Sequence, residues 1–369
     1  MTQAQGPLAG VKVVELASIG PGPFAAMMLA DHGADVVRID KPGGRAVGSV
    51  RSERDPLLRG RRVVELDLKD AGDLATALDL AGTADVLLEG YRPGVTERLG
   101  IGPEAVHARN PALVYARMTG WGQDGPLAPR AGHDIDYIAL TGALDGTGTP
   151  DAGPVPPMNL VGDFGGGGMM MAFGICAALL QARATGRGTV VDAAMVDGAA
   201  LLMTMMYGLK AQGFWGGGRG RNILDGGAPY YATYQAGDGK WVAVGAIEEP
   251  FWQAFLAVTE LRDEPAMARR LDPRAWDEVR AIIAARLAER TRAEWDAAFA
   301  GTDACYAPVL SMDEAAKDPH MAARGVLAEV EGVLQPAPAP RFAGVRTVPS
   351  HTDLRPVDAA EVLLRWRAR

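Results

Sequence analysis

The chain has 369 residues, 48% apolar and 22% charged, with a formal net charge of −8. That balance is globular, with chain enough for two domains, and it excludes disordered and fibrous classes. Glycine (47) and proline (25) are abundant but follow no fixed period, which excludes collagen-like repeats and points to a turn-rich enzyme.

The opening reads as a β-α-β unit. Val11 to Leu16 is a short apolar strand and Ser18 to Pro23 a loop. Phe24 to His32 has helical composition, with Pro23 suited to a first turn. Gly33 ends that helix, and Asp35 to Asp40 is the second strand. A helix over Ala71 to Gly82 precedes strand candidates at Ala84–Glu89 and Leu113–Met118. Such alternation predicts a parallel sheet covered by helices. The Gly-, Ala- and Met-rich stretch from Asp163 to Leu209 reads as two buried helices separated by the turn Thr185–Gly188, followed by a glycine-heavy connector, Gly213–Gly227. Tyr230–Gln235 and Lys240–Gly245 flank Gly237-Asp238-Gly239, a hairpin signal. Helices are expected near 250–260, 273–290 and 292–300, with Thr291/Glu294 and Ser311/Glu314 as capping boxes. The run Pro336 to Pro340 reads as a stiff connector.

Two cysteines, Cys176 and Cys305, cannot form a disulfide framework or a CxxC metal site, so a reducing cytoplasm is expected and no metal. The longest purely apolar stretch, Met169–Leu180, is about 12 residues, too short to cross a bilayer, so no membrane span is expected. The N-terminal residues lack the character of a secretory signal, and Arg367-Ala368-Arg369 is no peroxisomal address, which again favours the cytoplasm. Net acidity argues against nucleic acid as a partner. Between Asp35 and Arg62, however, eight basic residues (Arg38, Lys41, Arg45, Arg51, Arg54, Arg59, Arg61, Arg62) face four acids (Asp35, Asp40, Glu53, Asp55), leaving +4 there and −12 elsewhere. That cluster suits a small polyanion such as a nucleotide, or is a solvated surface.

Four features carry possible chemistry. Gly20-x-Gly22-x-x-Ala25, between a strand and a helix with Asp40 ending the next strand, has the letters of a dinucleotide fingerprint. Pro21 and Pro23 remove amide donors from that loop, and Arg38 and Lys41 compete for Asp40, so an NAD site is weakly supported. His133-Asp134 lies in a Gly-rich polar loop, and a histidine with an ordinary pKa of roughly 6.5 is a natural neutral base; the same pair also fits a surface turn. Asp163 precedes four glycines, Gly165–Gly168, where a helix appears in the pattern. Each glycine costs roughly 1 kcal/mol there relative to alanine, so close approach of a ligand or free amides should compensate, while Asp163 also suits an N-cap. Eight of the 15 methionines (Met158, Met169, Met170, Met171, Met195, Met203, Met205, Met206) cluster between 158 and 206, as an adaptable apolar surface or as core.

Taken in order, these stretches resemble the family III CoA-transferases, and within them the α-methylacyl-CoA racemases of bacterial type. The matching segments are Val13–Leu16 with Gly20–Pro23, Gly33–Ile39, Glu89–Gly94, Met118–Gln123, Ala131–Asp134, Val161–Asp163, Gly188–Asp192 and Gly245–Glu248. The resemblance implies an α/β fold with a Rossmann-like parallel-sheet large domain that binds CoA, plus a smaller α+β domain, in an interlocked homodimer. The implied layout is 1–190 for the first part of the large domain, 191–227 for a linker helix and connector, 228–325 for the small domain and 326–369 for the return. It implies His133 and Asp163 as acid/base groups and Glu248 as a partner orienting the histidine. It places CoA contacts at Lys41, Leu66, Asp67, Leu68, Lys69, Gly90, Tyr91, Arg92, Arg98, Gly132, Asp134, Ile135, Asp136 and Tyr137. An arginine is usual in the family at position 41. CoA would be carried as part of the substrate, with no separate cofactor.

The residue types make chemical sense of that implication. Inverting a carbon α to a thioester needs a proton removed from one face and another delivered to the opposite face, the work of two opposed groups. His133 and Asp163 would fill those roles, with amides at the start of the Asp163 helix steadying the enolate oxygen and methionines carrying a sliding acyl chain. The rival within the family is CoA transfer between carboxylic acids, with Asp163 as nucleophile. A non-catalytic acyl-CoA binder and an NAD oxidoreductase are the more distant alternatives.

Overall fold

The structure, a computed structural model, describes residues 6–43, 53–345 and 349–368; Arg45 and Arg51 of the basic cluster lie outside these residues. The described chain divides into two compact units. One holds the residues up to Thr141, Met158–Met203 and the chain from Ala322 onward; the other holds Gly142–Pro157 and Thr204–Met321. This division differs from the expected layout: residues 142–157, expected in the large domain, fall in the second unit; the expected linker divides, 191–203 to the first unit and 204–227 to the second; and residues 322–325, expected in the small domain, fall in the first.

In the first unit the order is β1 (Lys12–Leu16), α1 (Pro21–Asp31), β2 (Asp35–Asp40), β3 (Arg61–Glu65), α2 (Ala71–Thr83), β4 (Val86–Glu89), α3 (Val95–Leu99), α4 (Pro103–Arg109), β5 (Val114–Thr119) and α5 (Asp134–Leu140). A π-helix (Leu160–Met169) runs into α6 (Met170–Thr185), followed by β6 (Val190–Ala194) and α7 (Met195–Leu202). The six strands form one parallel sheet in the order β3-β2-β1-β4-β5-β6. β-Branched residues fill its centre, and alternate side chains enter separate cores on its two faces. Val13, Val36, Val86 and Ala116 pack with α1 and α6; Val14, Val37, Leu87 and Tyr115 pack with α2. This is the doubly wound order, in which the chain reverses direction between β1 and β4. β3 and β6 were not expected from the sequence.

The basic cluster is corrected too. Arg38 and Arg61 are buried partners of Glu15, Arg59 is buried against Asp31, and Arg62 pairs with Asp35. Four of the six described members of the cluster are therefore paired within the fold instead of facing an anion. Asp40 is buried and accepts from Arg38 Nε at 2.8 Å, a structural pairing that weakens it as a ribose acceptor.

Leu160–Thr185 is a continuous helical stretch of 26 residues, long and apolar enough by length and composition to cross a membrane. The sequence expectation missed it by counting only unbroken apolar residues. Met171, Ile175 and Leu179 nevertheless enter the core beside the sheet, as a core helix does. Its glycines have a packing reason. A Cβ on Gly198 of α7 would lie 1.8 Å from the carbonyl oxygen of Gly166, and one on Gly168 would meet Phe24 of α1 at 2.6 Å. The π-helix thus touches its neighbours backbone to backbone, which only glycine permits.

The second unit continues with α8 (Thr204–Ala211), β7 (Tyr231–Gln235), β8 (Trp241–Gly245), α9 (Glu249–Thr259), α10 (Trp276–Leu287), α11 (Arg292–Phe299), β9 (Tyr306–Pro308) and α12 (Met312–Ala315). The expected hairpin is β7–β8, antiparallel, with β9 on its far side. Both expected capping boxes form. The glycine connector is organised around buried Asn222, whose Oδ1 accepts from the amides of Gly216 and Gly217. After α13 (Pro319–Arg324) the first unit resumes with the hairpin β10 (Leu327–Val330) and β11 (Val333–Pro336), then α14 (Ala359–Arg367). Pro336 accordingly ends a strand instead of opening a free connector.

Candidate active site

In open α/β sheets, ligands bind where strand order reverses, outside the carboxyl ends of the strands. A cavity of about 390 Å³ sits there, formed by the loops after β1 (Ile19, Gly20, Pro21), β4 (Gly90, Tyr91, Arg92, Pro93) and β5 (Met118 to Trp121). The segment Arg130–His133 with Tyr137, together with Asp163 and Met195, completes its wall. His133 and Asp163, 30 residues apart in sequence, therefore open onto one cavity.

Each is set by its own element. His133 is the N-cap of α5, in extended conformation; its amide donates to Asp136 Oδ2 at 2.9 Å. The ring of Tyr137 packs edge-on against Trp121, and its hydroxyl donates to the Gly132 carbonyl at 2.5 Å, fixing the backbone just before the histidine. That ring fits only because positions 120 and 132 are glycine: a Cβ at either would lie 2.1 or 2.7 Å from it. Burial, with Asp163 nearby, pushes the Tyr137 hydroxyl up to about 12.

Asp163 lies on the π-helix, four residues past its N-cap Asn159. The N-cap reading of Asp163 is thus corrected. Its Oδ2 accepts from Asn159 Nδ2 at 3.0 Å, and its amide donates to Asp134 Oδ1 at 2.7 Å, so that amide is not free for an enolate oxygen. Gly20 lies against the carboxylate: a Cβ there would be 3.5 Å from Oδ2. Burial pushes the Asp163 carboxyl above the ordinary carboxylate range and Asp134 adds to the rise, while Asn159 and His133 oppose it. A raised carboxyl pKa keeps a proton available nearer neutrality, as general acid catalysis needs.

The remaining expected residues divide. Gly90, Tyr91, Arg92, Gly132 and Tyr137 line the cavity. Asp134 is buried with its carboxylate turned to the Asp163 amide, whereas Ile135 and Asp136 are exposed. Lys41 and Asp67, at the ends of β2 and β3, face each other at 3.7 Å. Leu66 is buried, Leu68 half-buried and Lys69 exposed. Arg98 is exposed on α3. None of these last six lines the cavity. Glu248 belongs to the second unit, where it heads α9 as N-cap. Of the clustered methionines Met195 reaches the cavity, while Met171 is fully buried in the core and Met158, Met169 and Met205 are exposed.

The sequence reading missed Asn159, Trp121 and Arg130. The spacing Asn159 to Asp163 (i, i+4) was the available signal for the first, since such residues share a helix face. Within the second unit a larger cavity, about 1300 Å³, is lined by Tyr231, Trp241, Trp276, Arg280 and Cys305 among others, and gathers none of the expected site residues. Among the described residues no cluster of three His, Cys, Asp or Glu could hold a metal.

The signature of the family described as CoA-transferase family III matches residues 8–356. Alpha-methylacyl-CoA racemase from Mus musculus is 43% identical over 344 residues, covering 93% of this chain and 88% of that protein; the Homo sapiens protein of the same name is 42% identical with the same coverage. Among solved structures, a CAIB/BAIF family protein from Brucella suis superposes with a TM-score of 0.81 at 26% identity, covering 98% of this chain and 100% of that one.

Proposed function

The chain belongs to CoA-transferase family III, and on that premise we propose that it is a racemase interconverting the (2R) and (2S) epimers of 2-methylacyl-CoA thioesters. The observation that carries the reading is the convergence of His133 and Asp163 on one cavity at the switch point of the sheet. A neutral His133 takes the α-proton of one epimer, the C–H electron pair passes into the enolate, and protonated Asp163 delivers a proton to the opposite face of the α-carbon. The reverse reaction exchanges the roles, and proton exchange with solvent resets the pair. With the Asp163 amide engaged, and the Asp136 and Tyr137 amides taken by the His133 carbonyl, the enolate oxygen falls to the amides of Asp134 and Ile135 that open α5.

CoA enters as part of the substrate, so the mechanism calls for no separate cofactor. Gly90, Tyr91, Arg92, Gly132 and Tyr137 are proposed to hold its thioester arm, and Lys41, Leu66–Lys69 and Arg98 its nucleotide end. Glu248 is proposed as the carboxylate that orients the histidine within a homodimer. Association accords with exposed apolar residues of the first unit: Met169, Phe173, Leu180, Leu201 and Leu202 are each about half exposed or more. A cytoplasmic setting accords with two free cysteines.

One pure epimer of a 2-methylacyl-CoA in deuterated water, without acceptor acid, tests the reading. Loss of the α-proton signal with appearance of the other epimer is expected, and His133→Ala or Asp163→Ala should each slow it by at least about 10²-fold. Absence of exchange, with thioester turnover once a free carboxylic acid is added, would instead make Asp163 the nucleophile of a CoA-transferase.

A further inference from the structure

We propose that Asp134 is a positioning residue for the proton transfer: its carboxylate ties the two bases to each other and fixes their separation. The inference rests on the two-base reading above and gives Asp134 a role distinct from contact with CoA.

Asp134 follows His133 directly in the chain and opens α5. Its side chain turns inward, the residue being only 7% exposed, and Oδ1 accepts from the Asp163 amide 29 residues away. A side chain adjoining one base thus grips the backbone of the other. The grip requires Gly162, since a Cβ there would lie 2.5 Å from Asp134 Oδ1. Other bonds fasten each base to its own surroundings: His133 N to Asp136, Asp163 to Asn159. The Asp134–Asp163 bond instead joins one segment to the other, with the strength of an ionised acceptor.

The second oxygen, Oδ2, is buried and has no hydrogen-bond partner among the described residues, a costly state for a carboxylate. The groups acting on the Asp163 carboxyl are Asn159 and His133, which favour its ionised form, and Asp134, which disfavours it; Tyr137 is the other titratable neighbour. Asp134 therefore contributes a tie and a charge, and two substitutions separate them. Asp134→Asn keeps an oxygen acceptor and removes the charge. Asp134→Ala removes both.

For Asp134→Ala, kcat for epimerisation should fall about 10²-fold, the scale of a base misplaced by about an ångström, with KM changed by no more than about threefold. For Asp134→Asn, kcat should stay within about tenfold of the parent while the acidic limb of the pH profile moves to lower pH, because a like charge beside Asp163 is gone. Thermal unfolding and circular dichroism check folding. If the alanine variant does not fold, the asparagine profile alone decides, and an unmoved limb overturns the proposal. So does a rise in KM with kcat unchanged, which would make Asp134 a binding residue. His133→Ala and Asp163→Ala are measured in parallel. Retained epimerisation in either removes the two-base reading itself, whereas loss in both beside parental behaviour of the Asp134 variants removes only this inference.

Discussion

In the parallel sheet, ion pairs run through the interior; in the second unit they stay near the surface, and aromatic rings fill the inside. Glu15, fully buried on β1, accepts from Arg38 on β2 and Arg61 on β3. Glu89, fully buried at the end of β4, accepts from its register partner Arg117 on β5. By contrast Arg286–Glu260 and Lys240–Glu314 leave their acids largely or partly exposed, while Trp252, Phe255, Phe299 and Tyr306 stack in series at 4.1 to 5.8 Å. Two of the sheet's charges hold the loops that line the cavity: Glu89 Oε2, at the carboxyl end of β4, accepts from the Tyr91 amide at 2.6 Å, and Arg38 reaches the Ser18 carbonyl. Buried charge in one unit orients loops, and buried rings in the other supply cohesion alone.

That contrast can be broken from either side. Glu15→Ala strands two guanidinium groups in the interior and should cost about 5 kcal/mol in urea unfolding, the upper end for breaking a buried pair. Trp295→Ala, removing a fully buried ring, should cost about 4 kcal/mol by cavity formation, with loss of amide protection confined to the second unit. A finer test uses pH. Burial pushes the Glu89 carboxyl up to about 7 from 4.5, against the pull of Tyr91 and Arg117. A group raised in the folded state contributes its stability in full below about pH 4.5 and loses it as pH rises toward 7. Glu89→Gln should therefore flatten the stability curve across that window while leaving its acid side unchanged. Smallest of all, Ser311→Ala removes the cap of α12 and should cost about 1 kcal/mol or less.

Much of the sheet was legible because its central strands are short apolar runs between turn residues. β1, β2, β4 and β5 follow that rule, as does the β7–β8 hairpin. β3 did not, because it opens with Arg61-Arg62, which look like surface charge until Glu15 is placed beside the first and Asp35 beside the second. β6 hid between the Gly186–Gly188 turn and α7, where Val190-Val191 merges with a helical composition. At the candidate site, His133 and Asp163 were paired through a resemblance spread over many segments; nothing local to either residue indicates that they open onto one cavity. What joins them is strand order, a property of the whole sheet. The Asp134 tie was illegible for the same reason, since a carboxylate after a histidine reads as a turn or a ligand contact.

The contact between Gly166 and Gly198 bears on how such a site can change over generations or in the laboratory. Where two helices meet main chain to main chain, no side chain between them can be trimmed or enlarged to compensate for an error elsewhere. Any substitution at either position must shift the whole segment that carries Asp163. Change in the cavity is therefore left to its other walls, where side chains such as Tyr91, Arg130 and Met195 project.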